Sequence, residues 1–325
     1  MSSAPTIHAA VVSAFGTPPR YEELPGPVAA SEHELVVDVV AAGLHPRVRS
    51  QAAGSHYTST DELPLVPGID GVGRDADGAL RYFILPDTTR GSMADRVVID
   101  GRRSIMLPDG ADPVAIAAAM NPAMSSWVAL RQRVRFEAGQ DVLVLGATCN
   151  AGRMAVQVAR RLGAGRIVAA GRNVDRLAAL PALGATDAVA LGGDPDEAAA
   201  RLGEAAADVD VVVDYLWGAP TAAAMVAIVT ARTDRAKPLT WIEVGSVAGP
   251  AAMVPSAALR AARLQIVGSG QGSVSTREIL AELPALAAEI SAGTFAIDAQ
   301  PRALADVTRA WADAPATTER IVLVP

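Results

Sequence analysis

The residues best suited to chemistry lie between positions 141 and 173, which read DVLVLGATCNAGRMAVQVARRLGAGRIVAAGRN. Gly146 and Gly152 bracket a turn of small residues: Ala147, Thr148, Cys149, Asn150 and Ala151. Backbone N–H groups in such a turn can approach an anion closely, and a helix start beside it adds a favourable dipole. Thr148 and Asn150 bring side-chain donors as well. The chemistry this composition suits is the cradling of a pyrophosphate.

The elements around the turn agree. An apolar run over 142–145 predicts a strand, an amphipathic stretch over 152–162 predicts a helix, and 167–170 predicts a second strand ending in Gly171-Arg172-Asn173. Together they make a β-α-β unit with a glycine-bracketed turn, the arrangement that binds a dinucleotide. An NAD site places an acidic residue near the end of the second strand to accept from the ribose 2′-hydroxyl. Here Arg172 occupies that place, with Arg176 one helical turn on, and Asp175 is expected to cap or to face solvent. A planar guanidinium suits a 2′-phosphate, so the expected cofactor is NADP(H). Cys149 stands where the middle glycine of such a turn is usual. Its Cβ and sulfur are expected to approach the pyrophosphate and weaken binding unless the loop shifts. A thiol at a helix start can also have a lowered pKa and be open to oxidation.

Composition bounds the rest. The 325 residues are 50% hydrophobic and 19% charged, with a formal net charge of −7. That is a globular chain long enough for two domains, without the basic surplus that a nucleic-acid partner requires. A single cysteine excludes an internal disulfide and a cysteine-rich zinc site. No basic-then-apolar leader opens the sequence, and no apolar run free of charge and proline is long enough to span a membrane. The expected location is the cytoplasm.

The first third reads as strands over 8–15, 34–42 and 96–99 broken by Gly and Pro, a compact β-rich domain. Helices are expected over 113–120 and 125–133, separated by Asn121-Pro122. From 141 onward strands (142–145, 167–170, 188–191, 209–214, 239–244, 264–269) alternate with helices (152–162, 174–183, 196–206, 221–231, 255–262), which predicts a doubly wound parallel six-stranded sheet. Helices over 276–292 and 303–312 and a strand over 320–324 close the chain. The fold class is α/β. The expected domains are 1–119 for substrate and catalysis, 120–270 for NADP, and a return segment, 271–325, packing on the first.

Several landmarks follow one another in a familiar order: Ala42-Gly43-Leu44-His45-Pro46, Leu65 to Gly73 (LVPGIDGVG), Gly91-Ser92-Met93-Ala94-Asp95, Val212-Val213-Asp214, Val244-Gly245, and Arg320 to Pro325 (RIVLVP). On these the chain resembles the medium-chain dehydrogenase/reductase superfamily, in particular its zinc-free quinone-oxidoreductase-like branch, over nearly its whole length. The resemblance implies a GroES-like β-barrel domain before a Rossmann domain, with the substrate expected between them. At the three positions where zinc-dependent members carry ligands this chain has His45, Ile69 and Pro122-Ala123. One donor cannot hold catalytic zinc, so no metal is expected.

Without a Lewis acid, hydride addition to a quinone or a conjugated C=C is the easier chemistry, because the developing charge delocalises onto an oxygen that one hydrogen bond can stabilise. The resemblance places Tyr57, in Gly54-Ser55-His56-Tyr57, as the expected donor. His45 is a second donor or relay, and Asp70 an acid that braces the cleft. It also implies a substrate pocket of Asn121, Met124, Ser125, Trp127 and Trp217, and cofactor contacts from Gly245, Ser246, Ser269 and Gly270. Reduction of a carbonyl or imine in the same cleft is the alternative, and a non-catalytic NADPH-binding protein or a non-redox use of the fold is the alternative of another class. The partners expected are a small-molecule substrate and a second copy of the chain, paired through the edge strand over 264–269.

Overall fold

The computed structural model describes residues 6–56 and 58–325. In chain order the first strands are β1 (Thr6–Val11), β2 (Arg20–Pro25), β3 (Glu34–Gly43), β4 (Asp70–Arg74), β5 (Leu80–Ile84), β6 (Arg96–Asp100) and β7 (Ser104–Met106), with helix α1 (Pro46–Ala52) after β3 and α2 (Pro113–Val128) after β7. Then β8 (Val142–Leu145), α3 (Asn150–Arg161), β9 (Ile167–Gly171), α4 (Val174–Ala178), α5 (Leu180–Leu183), β10 (Asp187–Ala190), α6 (Pro195–Ala206), β11 (Val211–Asp214), α7 (Gly218–Ala231), β12 (Leu239–Glu243), α8 (Ser256–Ala261) and β13 (Leu264–Gly268) alternate. The return comprises α9 (Thr276–Ser291), β14 (Ala299–Ala303), α10 (Val307–Asp313) and β15 (Arg320–Val324). Two compact units result: Met1–Asn121 with Leu280–Pro325, and Pro122–Ile279.

The first unit is built on a mixed seven-stranded sheet in the order β14-β15-β3-β4-β5-β7, with β6 on β3. Along β3, Val37 and Val39 are buried while Val36 and Asp38 face out, the alternation of a strand with one face on a core. The return segment completes that core: Leu304, Val307, Trp311, Ile321 and Leu323 pack with Val37, Leu44, Phe83 and Met93.

The second unit carries the expected parallel sheet, in the order β10-β9-β8-β11-β12-β13. All four residues of β8 and of β11 are buried, as continuous apolar runs should be in a sheet covered on both faces. Two expectations change. The stretch 113–133 is not two helices: α2 runs through Pro122 and ends in a wider π-type turn, Ala129–Arg133. Ile116 to Met120, Ala123 and Trp127 are buried along it, and that burial offsets the hydrogen bond proline cannot make. The combined stretch passes for a membrane span by composition, but most of it lies inside the protein. Conversely, the expected helix over 174–183 divides at Ala179, ahead of Pro181 near the start of α5.

A buried carboxylate organises the end of β11. Asp214, with no solvent exposure, accepts at Oδ1 from the Leu216 and Trp217 N–H groups (2.8 and 3.1 Å). At Oδ2 it accepts from Thr221 Oγ1 (2.6 Å) and Trp241 Nε1 (2.9 Å). These bonds hold Trp217 at φ 52°, ψ −165°, a region that non-glycine residues occupy at a cost of about 1–3 kcal/mol. Replacing Asp214 by Asn turns an N–H pair toward groups that are themselves donors. The D214N variant is expected to lose about 3 kcal/mol of stability, read as a lower urea midpoint.

Candidate functional site

The expected cofactor turn is built in the second unit. Gly146 leaves β8 at φ 84°, a conformation that favours glycine. A Cβ on Gly152 would lie 2.2 Å from the Gly146 carbonyl oxygen, so only glycine lets α3 start this close to the strand. Asn150 and Ala151 N–H groups have no partner among the described residues. These are orphan donors of the kind that bind an anion at a helix start.

Cys149 does something the sequence did not reveal. It is the N-cap of α3, with extended backbone, and its Sγ accepts from the Gly152 N–H at 3.3 Å. The sulfur is turned into the helix start, where a Ser or Thr hydroxyl is the usual cap.

The second strand is locked to the same turn. A Cβ on Gly171 would meet Thr148 Cγ2 at 2.5 Å, and Arg176 Nη1 donates to the Thr148 carbonyl at 2.6 Å. Asn173 caps α4 by accepting from the Arg176 N–H, and Asp175 lies in the first turn of that helix. Arg172 is exposed beside them, and no carboxylate pairs with it among the described residues. Thus Gly146 to Gly152, Gly171, Arg172, Asn173 and Arg176 form one cluster, and the turn fits a phosphorylated dinucleotide.

Other expected positions lie at the C-terminal ends of neighbouring strands. The Gly245 N–H donates to the Asp214 carbonyl (3.1 Å), and the Ser246 carbonyl accepts from Gly249. Ser269 N–H donates to the Glu243 carbonyl (2.8 Å), and Gly270 N–H to Ser273 Oγ (2.8 Å). Ser125 Oγ lies 2.8 Å from the Tyr215 hydroxyl. Trp127 is buried, with the Arg131 guanidinium stacked on it. Met124 and Trp217 are half-buried. Tyr215 was not anticipated; nor was Glu243, whose carboxyl burial and then Asp214 push above its ordinary value.

The first unit gathers His45, Asp70 and Asn121. His45 Nε2 lies 3.3 Å from Asp70 Oδ1, off the line of a hydrogen bond. Gly43 makes room for the ring, since a Cβ there would sit 2.4 Å from Nε2. Asp70 Oδ2 accepts from the Tyr82 hydroxyl at 2.6 Å, Asp70 Oδ1 has no hydrogen-bond partner among the described residues, and Asn121 beside it favours the charged carboxylate. Tyr82 was also missed; its pairing opposite Val72 in β4 and β5 sets it beside Asp70. Burial alone would raise the Asp70 carboxyl, but the surrounding His45 ring, the Tyr82 hydroxyl and Asn121 favour its charged form and hold it below its ordinary value. Burial pushes His45 down toward the neutral ring, against the pull of Asp70. Tyr57 falls outside the described residues. Around it, His56 Nδ1 accepts from the Thr58 N–H, and Gln51 Nε2 donates to both Thr58 Oγ1 and Asp87 Oδ1.

Both shifts act in one direction. Below the ordinary histidine value of 6.5, an unfolded chain protonates His45 and the folded one does not, so stability falls with pH. Through the carboxylate range the Asp70 contribution is lost in turn. The expected result is a fall in unfolding free energy on acidification from pH 6.5. The His45→Gln variant should flatten the part of that slope above about pH 5, as measured by urea unfolding across pH.

No protein-family model matches the sequence. A probable NADPH-dependent quinone reductase of Emericella nidulans is 33% identical over 364 aligned positions, covering 98% of this chain and all of that protein. A 2-methylene-furan-3-one reductase of Solanum lycopersicum is 25% identical over 174 positions, 49% of this chain and 45% of that protein. The chain superposes on a mycobacterial quinone oxidoreductase with a TM-score of 0.83, over 98% of this chain and 100% of that one at 22% identity. A mycobacterial structure complexed with NADPH gives 0.80, with the same coverage and identity. With the parallel sheet, the glycine turn and a relative matched along its full length, the chain belongs to the medium-chain dehydrogenase/reductase superfamily, in its quinone-oxidoreductase-like branch.

Proposed function

We propose that this chain is an NADPH-dependent, zinc-independent reductase of a quinone or a conjugated C=C bond. The observation that carries the reading is the turn 146–152 locked to the end of β9, with Arg172 exposed where an NAD site has a carboxylate. The 33% identical relative named as a quinone reductase supports the substrate class. NADPH supplies the hydride. Backbone N–H groups of Asn150 and Ala151 hold its pyrophosphate, and Arg172 takes the 2′-phosphate through charge-assisted hydrogen bonds. Tyr57 donates the hydrogen bond that stabilises the oxyanion formed on the substrate.

Zinc independence rests on the donor set. His45 faces Asp70 and Gly43, Asp70 accepts from Tyr82, and Ile69 offers no ligand atom. The lone thiol of Cys149 suits a reducing compartment, and we place the chain in the cytoplasm.

The test is calorimetric binding of NADPH and NADH, followed by NADPH oxidation with a simple quinone, an enone, an aldehyde and a cyclic imine. NADPH is expected to bind more tightly, with turnover on the quinone or enone. Arg172→Ala should weaken NADPH about tenfold and leave NADH nearly unchanged. NADH affinity equal to that of NADPH overturns the 2′-phosphate reading, and no NADPH binding at all overturns the function.

The same reading includes a homodimer through β13. That strand ends the parallel sheet, leaving one side of its backbone open to pairing. Large exposed apolar side chains also concentrate in the chain around it: Val247, Met253, Leu259 and Ile266, with Met253 89% exposed. Light scattering should give twice the chain mass, and Ile266→Lys should halve it; a monomeric wild type contradicts the pairing.

A further inference from the structure

We propose that Tyr215 is a cofactor-positioning residue, setting the phosphate turn, the loop after β12 and Ser125 in one register. The inference rests on the reading of the turn 146–152 as the NADPH site. Tyr215 is the first residue beyond β11 and is 6% exposed. Its N–H donates to the carbonyl of Leu145, the last residue of β8 (3.1 Å), and its carbonyl accepts from the Val247 N–H (3.3 Å).

The side chain continues what the backbone begins. A Cβ on Gly146 would lie 3.2 Å from Tyr215 Cβ, and a Cβ on Gly245 would lie 3.7 Å from its Cδ1. Both glycines therefore border this residue, and both are positions where the sequence predicts cofactor contact. The hydroxyl reaches Ser125 in α2. Ser125 has one hydroxyl hydrogen, and its Oγ donates to the Pro122 carbonyl at 2.7 Å. The Tyr215 hydroxyl must then be the donor between the two, which burial favours by keeping the phenol protonated. A chain of hydrogen bonds runs from Tyr215 through Ser125 to Pro122. It fixes the Ser125 rotamer and leaves the second lone pair of Oγ as an acceptor.

The arrangement makes Ser125 an acceptor rather than a proton donor, and it makes Tyr215 the residue that holds it so. Removing only the hydroxyl separates this role from ring packing. Tyr215→Phe keeps the ring against Gly146 and Gly245 and frees Ser125 to reorient.

The experiment measures NADPH dissociation constants by calorimetry for wild type, Tyr215→Phe, Ser125→Ala and the double variant, with melting temperatures alongside. Tyr215→Phe is expected to weaken NADPH about fivefold. The double variant should be no weaker than the worse single variant, because both substitutions cut one path. Unchanged affinity in Tyr215→Phe overturns the proposal, even if the melting temperature falls. Independent, multiplying effects overturn the coupling to Ser125. Failure of the wild type to bind NADPH fells the functional reading first, and is told apart from the other outcomes by that one titration.

Discussion

The Asp214 carboxylate is the interaction on which the second unit depends. It is buried among apolar strands, where an unpaired charge is costly, and four donors satisfy it. Those donors come from three places: the turn after β11, the first part of α7 and the middle of β12. One side chain thus ties two adjacent strands to the helix between them. It also over-determines the backbone at Trp217, whose φ of 52° would otherwise relax. Tyr215 sits inside that clamp, one residue after Asp214. The register of the turn is therefore fixed before any ligand arrives, which lowers the ordering cost of binding.

The two units solve different problems with polar groups. In the second, the turn is shaped by what is missing: Gly146, Gly152 and Gly171 carry no Cβ, and main-chain atoms approach where side chains would collide. In the first, a buried polar cluster is left incompletely paired. Asp70 accepts from Tyr82 at one oxygen, and its other oxygen and both nitrogens of the His45 ring beside it lack a full hydrogen bond. The incomplete satisfaction of His45 is a standing cost of about 1–3 kcal/mol. A buried imidazole left this way favours the neutral ring, so at neutral pH it is a poor cation and a ready acceptor or relay.

What the sequence made legible follows from how far each signal reaches along the chain. The β8-α3-β9 unit is local: two apolar runs buried on both faces, and a Gly152 whose reason, the Gly146 carbonyl, lies at the other end of the same turn. The six strands of the parallel sheet were visible for the same reason. The strands β2, β4 and β5 were not: β2 (RYEELP) and β4 (DGVGR) are short and rich in charge or Gly, and β5 (LRYFI) is a five-residue run with no clear alternation. Continuity of α2 through Pro122 was hidden too, since proline argues locally for a break and only tertiary burial overrides it. Tyr82 and Tyr215 escaped notice because a tyrosine in a strand or turn is ordinary; their meaning comes from Asp70 and Ser125, which only pairing and packing bring near.

Cys149 shows the same limit from the other side. Read locally, a side chain at the middle of a phosphate turn is an obstruction, because its Cβ stands where a glycine would leave room. In the structure Cys149 is exposed while its sulfur accepts from the Gly152 N–H, so the residue has a second effect besides the bulk of its Cβ. That effect is on donor supply. The first turn of a helix offers a few free N–H groups, and here the Gly152 N–H is committed to Sγ. Asn150 and Ala151 keep theirs. The turn thus trades one free N–H for a capped helix start. A thiol is a weak acceptor, so the commitment is a soft one, and an anion with strong acceptor oxygens can compete for that hydrogen. The residue that breaks the glycine pattern of the turn is therefore also the cap of the helix that follows it.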